Sequence, residues 1–229
     1  RPSSLGTAIN WCRRCIRTCD RLPQSSPTNL RFTMTNRFEG KVALVVGGAN
    51  ADEDRLLGFA GLSALKIARD GGKVVIGDID DEAGTRSVQK MKSAGLTADY
   101  VHMDVTNEDD WQVAVDKTVG LHGRLDIMIM AAGIPDRGET IDSTEVDTWR
   151  RVMDVTNLGM FLGTRAVIEP MRSSRGGSIV LISSMMARVV RDGANAYATS
   201  RAGMTHFARS AAVQYGADNI RVNTVLPGW

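Results

Sequence analysis

Between Lys41 and Asp78 the chain reads KVALVVGGANADEDRLLGFAGLSALKIARDGGKVVIGD. Val42 to Val46 is a short apolar run rich in β-branched residues, closed by Gly47-Gly48, which is the pattern of a strand buried on both faces. Phe59, Leu62, Leu65 and Ile67 then recur at helical spacing up to Arg69, where Gly71-Gly72 stops them. Lys73 to Gly77 repeats the apolar run and ends at Asp78. Two such strands joined through a helix form a parallel pair with the helix packed on one face.

The alternation continues in both composition and period. Asp81 to Ala94 predicts a helix, Ala98 to Met103 a strand, and Glu108 to Val119 a helix capped by Asn107 or Thr106. Leu125 to Met130 predicts a fourth strand that runs into Ala131-Ala132-Gly133. A long helical pattern spans Thr148 to Met171 and is interrupted at Gly159 and Gly163. Gly177 to Ile182 predicts a strand, Ala196 to Tyr215 a helix and Ile220 to Val225 a sixth strand. The expectation is an α/β fold over residues 39–229: one domain with a doubly wound parallel sheet, truncated after the sixth strand.

Composition supports this. The chain has 229 residues, 43% apolar and 24% charged, which suits one large folded domain and excludes disorder throughout. No apolar run approaches the roughly 20 residues of a membrane-spanning helix. A net charge of +2 and 5% aromatic residues argue against a nucleic-acid surface. The expected partner is therefore a small molecule, with neither nucleic acid nor membrane.

Residues 1–38 stand apart. They hold seven arginines against the single acid Asp20, and all three cysteines. An acid-poor leader with Arg and Ser fits an organelle transit peptide. Cys12, Cys15 and Cys19 are spaced so that thiolates can face one metal ion, but no histidine lies nearby as a fourth ligand. The plainest reading is a disordered extension, or translated sequence upstream of Met34. We carry that reading forward, with no metal and a cytoplasmic location, and leave organelle import through the arm open.

In an open parallel sheet, ligands bind beyond the carboxyl ends of the strands. Gly47 and Asn50 follow the first strand there, and Asp78 ends the second. An acid at that place accepts ribose hydroxyls and repels a 2′-phosphate, so it favours NAD over NADP; it also suits a plain turn cap. Tyr197 and Arg201 stand four residues apart, on one helical face. A cation beside a phenol favours phenolate and lowers a pKa of about 10 toward the range useful for acid–base work. Ser184 precedes Tyr197 by thirteen residues and brings a hydroxyl donor. Taken alone, Tyr197 and Arg201 read better as an amphipathic surface pair than as a catalytic one.

Taken together, Gly47-Gly48, Asp78, Asp104-Val105, Ala132-Gly133, Ser183-Ser184, Tyr197-x-x-x-Arg201 and Pro227-Gly228 resemble the short-chain dehydrogenase/reductases in order and spacing, from about Lys41 to Trp229. The resemblance implies a Rossmann-type sheet of order 3-2-1-4-5-6-7, a nicotinamide cofactor, and hydride transfer between a secondary alcohol and a ketone. It implies that Ser184 orients the substrate oxygen and that Tyr197 is the acid–base group. Arg201 would bind the nicotinamide ribose, Asp104-Val105 would flank the adenine, and Ala132, Gly133, Gly58 and Pro227-Gly228 would line the cofactor. A homo-oligomer is implied for the full-length protein.

The sequence also departs from that family. Val46 stands at the loop's Thr, Ala51 to Leu57 looks inserted before Gly58, and Ala60 takes the last glycine's place. Asp52, Glu53 and Asp54 would repel a pyrophosphate by about 1 kcal/mol per contact in water. Met130-Ala131 replaces a pair of asparagines. Thr156 stands at the asparagine of the proton relay, with Asn157 about 100° round the helix. Arg201 replaces lysine, which is not a conservative exchange. A longer glycine loop occurs in the enoyl-reductase-like branch, but there the tyrosine and lysine are six apart. The alternative to an active enzyme is a catalytically impaired dinucleotide-binding module or a non-functional fragment.

Overall fold

A computed structural model describes residues 36–51, 58–136 and 138–228. The expectations for Cys12, Cys15 and Cys19, and for the acids Asp52, Glu53 and Asp54, lie outside the described residues. Phe38, the last residue of the expected arm, packs against the core.

Six strands form one parallel sheet: β1 (Val42–Val46), β2 (Lys73–Asp78), β3 (Ala98–His102), β4 (Ile127–Met130), β5 (Gly177–Ile182) and β6 (Ile220–Val225). Their order is β3-β2-β1-β4-β5-β6. Winding runs outward from β1 to β3, then reverses at β4. The switch between β1 and β4 opens a crevice at the strands' carboxyl ends.

The helices are α1 (Phe59–Arg69), α2 (Asp81–Ser93), α3 (Glu108–His122), α4 (Val146–Met153), α5 (Gly159–Ser173) and α6 (Asn195–Tyr215). Of the two cap candidates for α3, Asn107 does the capping: its Oδ1 accepts from Asp109 N at 2.9 Å. Leu44 and Val46 of β1 enter the apolar layer beneath α3, α5 and α6. Ala43 and Val45 enter the layer beneath α1 and α2. Both faces of β1 are covered, which is why its sequence shows no polar alternation.

Two expectations change. Strand β4 starts at Ile127 rather than Leu125, because Asp126 turns into an ionic cluster at the base of the sheet. The long helix is interrupted by a π turn over Asp154–Leu158, not by its glycines. Gly159 and Gly163 lie inside α5, where they admit neighbours. A Cβ at Gly163 would stand 2.4 Å from the Trp111 ring, and one at Gly159 would stand 3.0 Å from Val105. Among the described residues no helix is long and apolar enough to cross a membrane.

Asp126 is buried and accepts from Val42 N at 3.0 Å, Lys41 Nζ at 3.1 Å and Arg124 Nε at 2.7 Å. Burial alone would raise its pKa, but Arg124, the Val42 amide and Lys41 outweigh burial and hold it below the usual carboxylate range. A depressed folded pKa stabilises the protein above the unfolded value of about 3.9, and that stability is lost as pH falls through the folded value. Asp126→Asn should therefore cost about 1.5–3 kcal/mol at pH 7 and flatten the loss of stability below about pH 4. Denaturant titrations of both proteins across pH check this.

Candidate active site

The crevice holds a cleft of about 820 Å³, bordered by Gly47, Asp78, Asp104, Val105, Ala132 and Gly133. The structure thus gathers six of the predicted cofactor residues on one wall system. A groove of similar size, about 830 Å³, runs between α3 and α5 and contains none of them. Its residues come from α3, α5 and the turns that follow them.

Gly47 is dictated by geometry. Its φ is +75°, and a Cβ there would lie 2.7 Å from Ala132 N. The ends of β1 and β4 can close only around a glycine. Asp78 braces this turn: Oδ2 accepts from Ala49 N at 2.9 Å and Oδ1 from Asp80 N at 3.2 Å. Turn capping and cleft lining therefore coincide in one residue. Asp104 behaves similarly, with Oδ1 accepting from Thr106 N at 2.9 Å and Thr106 Oγ1 at 2.8 Å.

Asn50 and Gly58 are not among the residues bordering the cleft. Asn50 is exposed, and its carbonyl accepts from Gly58 N at 3.3 Å. A close approach within this loop occurs at Gly61, where a Cβ would stand 1.8 Å from Asn50 O. Sequence reasoning missed Gly61. The available signal was a glycine inside an otherwise good helical pattern, which marks a close packing partner.

The second group forms where β5 meets α6. Ser184 is buried, and its Oγ accepts from Met186 N at 3.1 Å. Met186, Ala194 and Ala198 form a small apolar cluster, and Tyr197 packs against it. Pro227 O accepts from Met185 N at 2.9 Å, and Gly228 faces the Met185 sulfur, which brings both predicted tail residues beside Ser184. Met186 is buried, whereas Val189 is exposed, as is its neighbour Val190.

Arg201 links the two groups. It is 5% exposed, donates from Nη1 to Ile182 O at 2.9 Å and places its guanidinium 4.8 Å from the centre of the Tyr197 ring. A Cβ on Gly133 would meet Arg201 Nη2 at 2.1 Å. Burial pushes the guanidinium below its ordinary pKa, and its contact with Tyr197 opposes that shift. Its backbone is held as well, since Ser183 Oγ donates to Arg201 O at 3.0 Å.

Thr156 lies in the π turn, fully buried, and its Oγ1 has no partner among the described residues. Asn157 turns its amide to α6 and donates from Nδ2 to Ser200 O at 3.1 Å. One residue missed in the sequence touches Tyr197 directly: Asp136 Oδ2 accepts from Tyr197 N at 3.0 Å.

A family model described as enoyl-(acyl carrier protein) reductase matches residues 56–229. Cyclopentanol dehydrogenase from Comamonas sp. is 38% identical over 192 residues, which are 84% of this chain and 74% of that protein. The 3-alpha-(or 20-beta)-hydroxysteroid dehydrogenase of Mycobacterium bovis is 38% identical over 195 residues, 85% of this chain and 71% of that protein. The crystal structure of a short chain dehydrogenase from Mycobacterium smegmatis matches with a TM-score of 0.79 at 25% identity, covering 89% of this chain and 82% of that one.

The Gly133–Arg201 contact is measurable. Gly133→Ala should cost about 1–3 kcal/mol through overpacking. In an Arg201→Met background the cost should fall by at least about 0.5 kcal/mol, because the two sites share one contact. Denaturant unfolding of the two single variants and the double variant closes the cycle.

Proposed function

The chain belongs to the short-chain dehydrogenase/reductases, a family of oxidoreductases, and from that membership we propose that it moves a hydride between a nicotinamide dinucleotide, NAD in preference to NADP, and a cyclic secondary alcohol or its ketone. The observation that carries the reading is the buried Arg201 guanidinium against the Tyr197 ring, bonded to Ile182 O two residues before Ser184. The substrate class follows from the two named relatives, a cyclopentanol and a hydroxysteroid dehydrogenase. The exposed Val189 and Val190, close in sequence to Ser184, suit an apolar ring.

The described residues fit a dinucleotide. The cleft is large enough for an adenosine and its phosphates, and Gly47 leaves its floor bare. Each Asp78 oxygen keeps a lone pair after its amide bond, so both can accept ribose hydroxyls, while the charge opposes a 2′-phosphate. Asp104 and Val105, which border the same space, would hold the adenine, and Ala132 and Gly133 would line the cofactor's path. Pro227 and Gly228 close the end beside Ser184. When bound, the nicotinamide accepts or returns the hydride.

The chain's own residues handle the proton. Tyr197 takes it from the alcohol oxygen or returns it to the ketone oxygen. Arg201, drawn down to Ile182 O, is a fixed cation over the ring and holds it in place. The hydrogen of Ser184 Oγ, whose oxygen accepts from Met186 N, can donate to the substrate oxygen and hold it near Tyr197. Thr156, buried with an unpartnered hydroxyl, is the group we assign to holding an interior water beside α6. Pairing with further copies of the chain through α5 and α6 belongs to the same reading.

The placement of Arg201 also supports a second reading, a dinucleotide-binding module without turnover, since a guanidinium spent on Ile182 O is withdrawn from the ribose. Tyr197→Phe separates the two. It should reduce NAD-dependent oxidation of cyclopentanol or a hydroxysteroid by at least about 100-fold, with folding and NADH binding intact. Turnover equal to that of the unaltered protein removes Tyr197 from the mechanism. NADH binding with no turnover across a panel of cyclic alcohols favours the module. Asp78→Ser should shift relative affinity toward NADPH by about tenfold or more, read by titrating both reduced cofactors.

A further inference from the structure

Helix α6 carries both Tyr197 and Arg201, yet its own sequence leaves its start uncapped. Ala194 at the cap position offers no side-chain acceptor, and the first turn contains no acid. The first amides of a helix need partners from elsewhere. Asp136, in the loop after β4, supplies one: its Oδ2 accepts from Tyr197 N at 3.0 Å. The carboxylate thus sits at the positive end of the helix dipole. The same loop is fastened to α6 twice more. Asn195 Nδ2 donates to Glu139 O at 3.0 Å and to Thr144 Oγ1 at 2.8 Å. Gly193, with φ +69°, lies so close to Gly138 that a Cβ would meet the Gly138 carbonyl oxygen at 2.5 Å.

We propose that Asp136 is a positioning residue for Tyr197, acting through its hydrogen bond to the Tyr197 amide and locking the loop after β4 to the turn that bears the acid–base group. The inference rests on the dehydrogenase reading above for its catalytic consequence, though not for the contact itself. Asp136 lies three residues beyond Gly133, which packs on Arg201. The loop therefore grips α6 at its first turn and, through Gly133, at the guanidinium. A shift of about 1 Å at the first turn would displace the phenol from its substrate, and misplacement on that scale costs on the order of 100-fold in rate.

Asp136→Ala and Asp136→Asn test this, both at a temperature where circular dichroism shows the variants folded. The asparagine keeps an oxygen that can accept the Tyr197 amide, whereas the alanine does not. With a cyclic ketone, Asp136→Ala should lose about tenfold or more in kcat, with KM and NADH affinity within about twofold. Asp136→Asn should recover most of kcat. Amide hydrogen exchange should quicken at residues 195–198 of Asp136→Ala and stay unchanged in the rest of α6. A folded Asp136→Ala with the original kcat overturns the proposal, and so does an Asp136→Asn as impaired as Asp136→Ala. If the unaltered protein shows no turnover, the dehydrogenase reading fails on its own. The exchange measurement then decides the latch, and unchanged exchange at 195–198 overturns it.

Discussion

A guanidinium that is 5% exposed sets the terms for everything around it. Taking such a charge out of water costs several kcal/mol unless the protein supplies partners. The partners here are the Ile182 carbonyl at the end of β5, the face of Tyr197, and the space left by Gly133. Each belongs to a different segment, so Arg201 fixes the relative positions of β4, β5 and α6. Ser183 and Asn157 then hold the backbone of α6 at Arg201 and Ser200. A lysine would present a smaller, freely rotating ammonium and would not need that space.

The acids divide the work differently. Asp126 ties the amino ends of β1 and β4 together with Lys41 and Arg124, which makes the base of the sheet its ionic anchor. Asp78 works at the opposite end, where it braces two turns with the same oxygens that face the cleft. Turn capping therefore falls on a residue that borders the cleft. The closed contact between Gly47 and Ala132 keeps the two halves of the sheet in register at the point where the winding reverses.

Much of the fold was legible in the sequence. Strands β1, β5 and β6 fall on the expected residues, because runs buried on both faces and glycine stops are local signals. The cluster of Gly47, Asp78, Asp104, Val105, Ala132 and Gly133 was legible too, since each follows a strand and the sheet rule sends such residues to one edge. The π turn was not, because the residues of the turn carry no break in the helical pattern, and Gly159 and Gly163 beyond it admit Val105 and Trp111. The close approach at Gly61 depended on where the Asn50 carbonyl comes to lie, which no local pattern encodes.

The sequence by itself determined the alternation of strand and helix, the parallel sheet and the residues at its carboxyl edge, since these follow from short-range periodicity and chain connectivity. Only the tertiary structure decided what Arg201 touches, that Asn157 turns to Ser200, and that Asp136 meets the amide of Tyr197 across 61 residues of chain. Those are contacts between distant segments. Their partners are chosen by packing and by the need to satisfy buried polar groups, and that choice exists only once the sheet has brought the segments together.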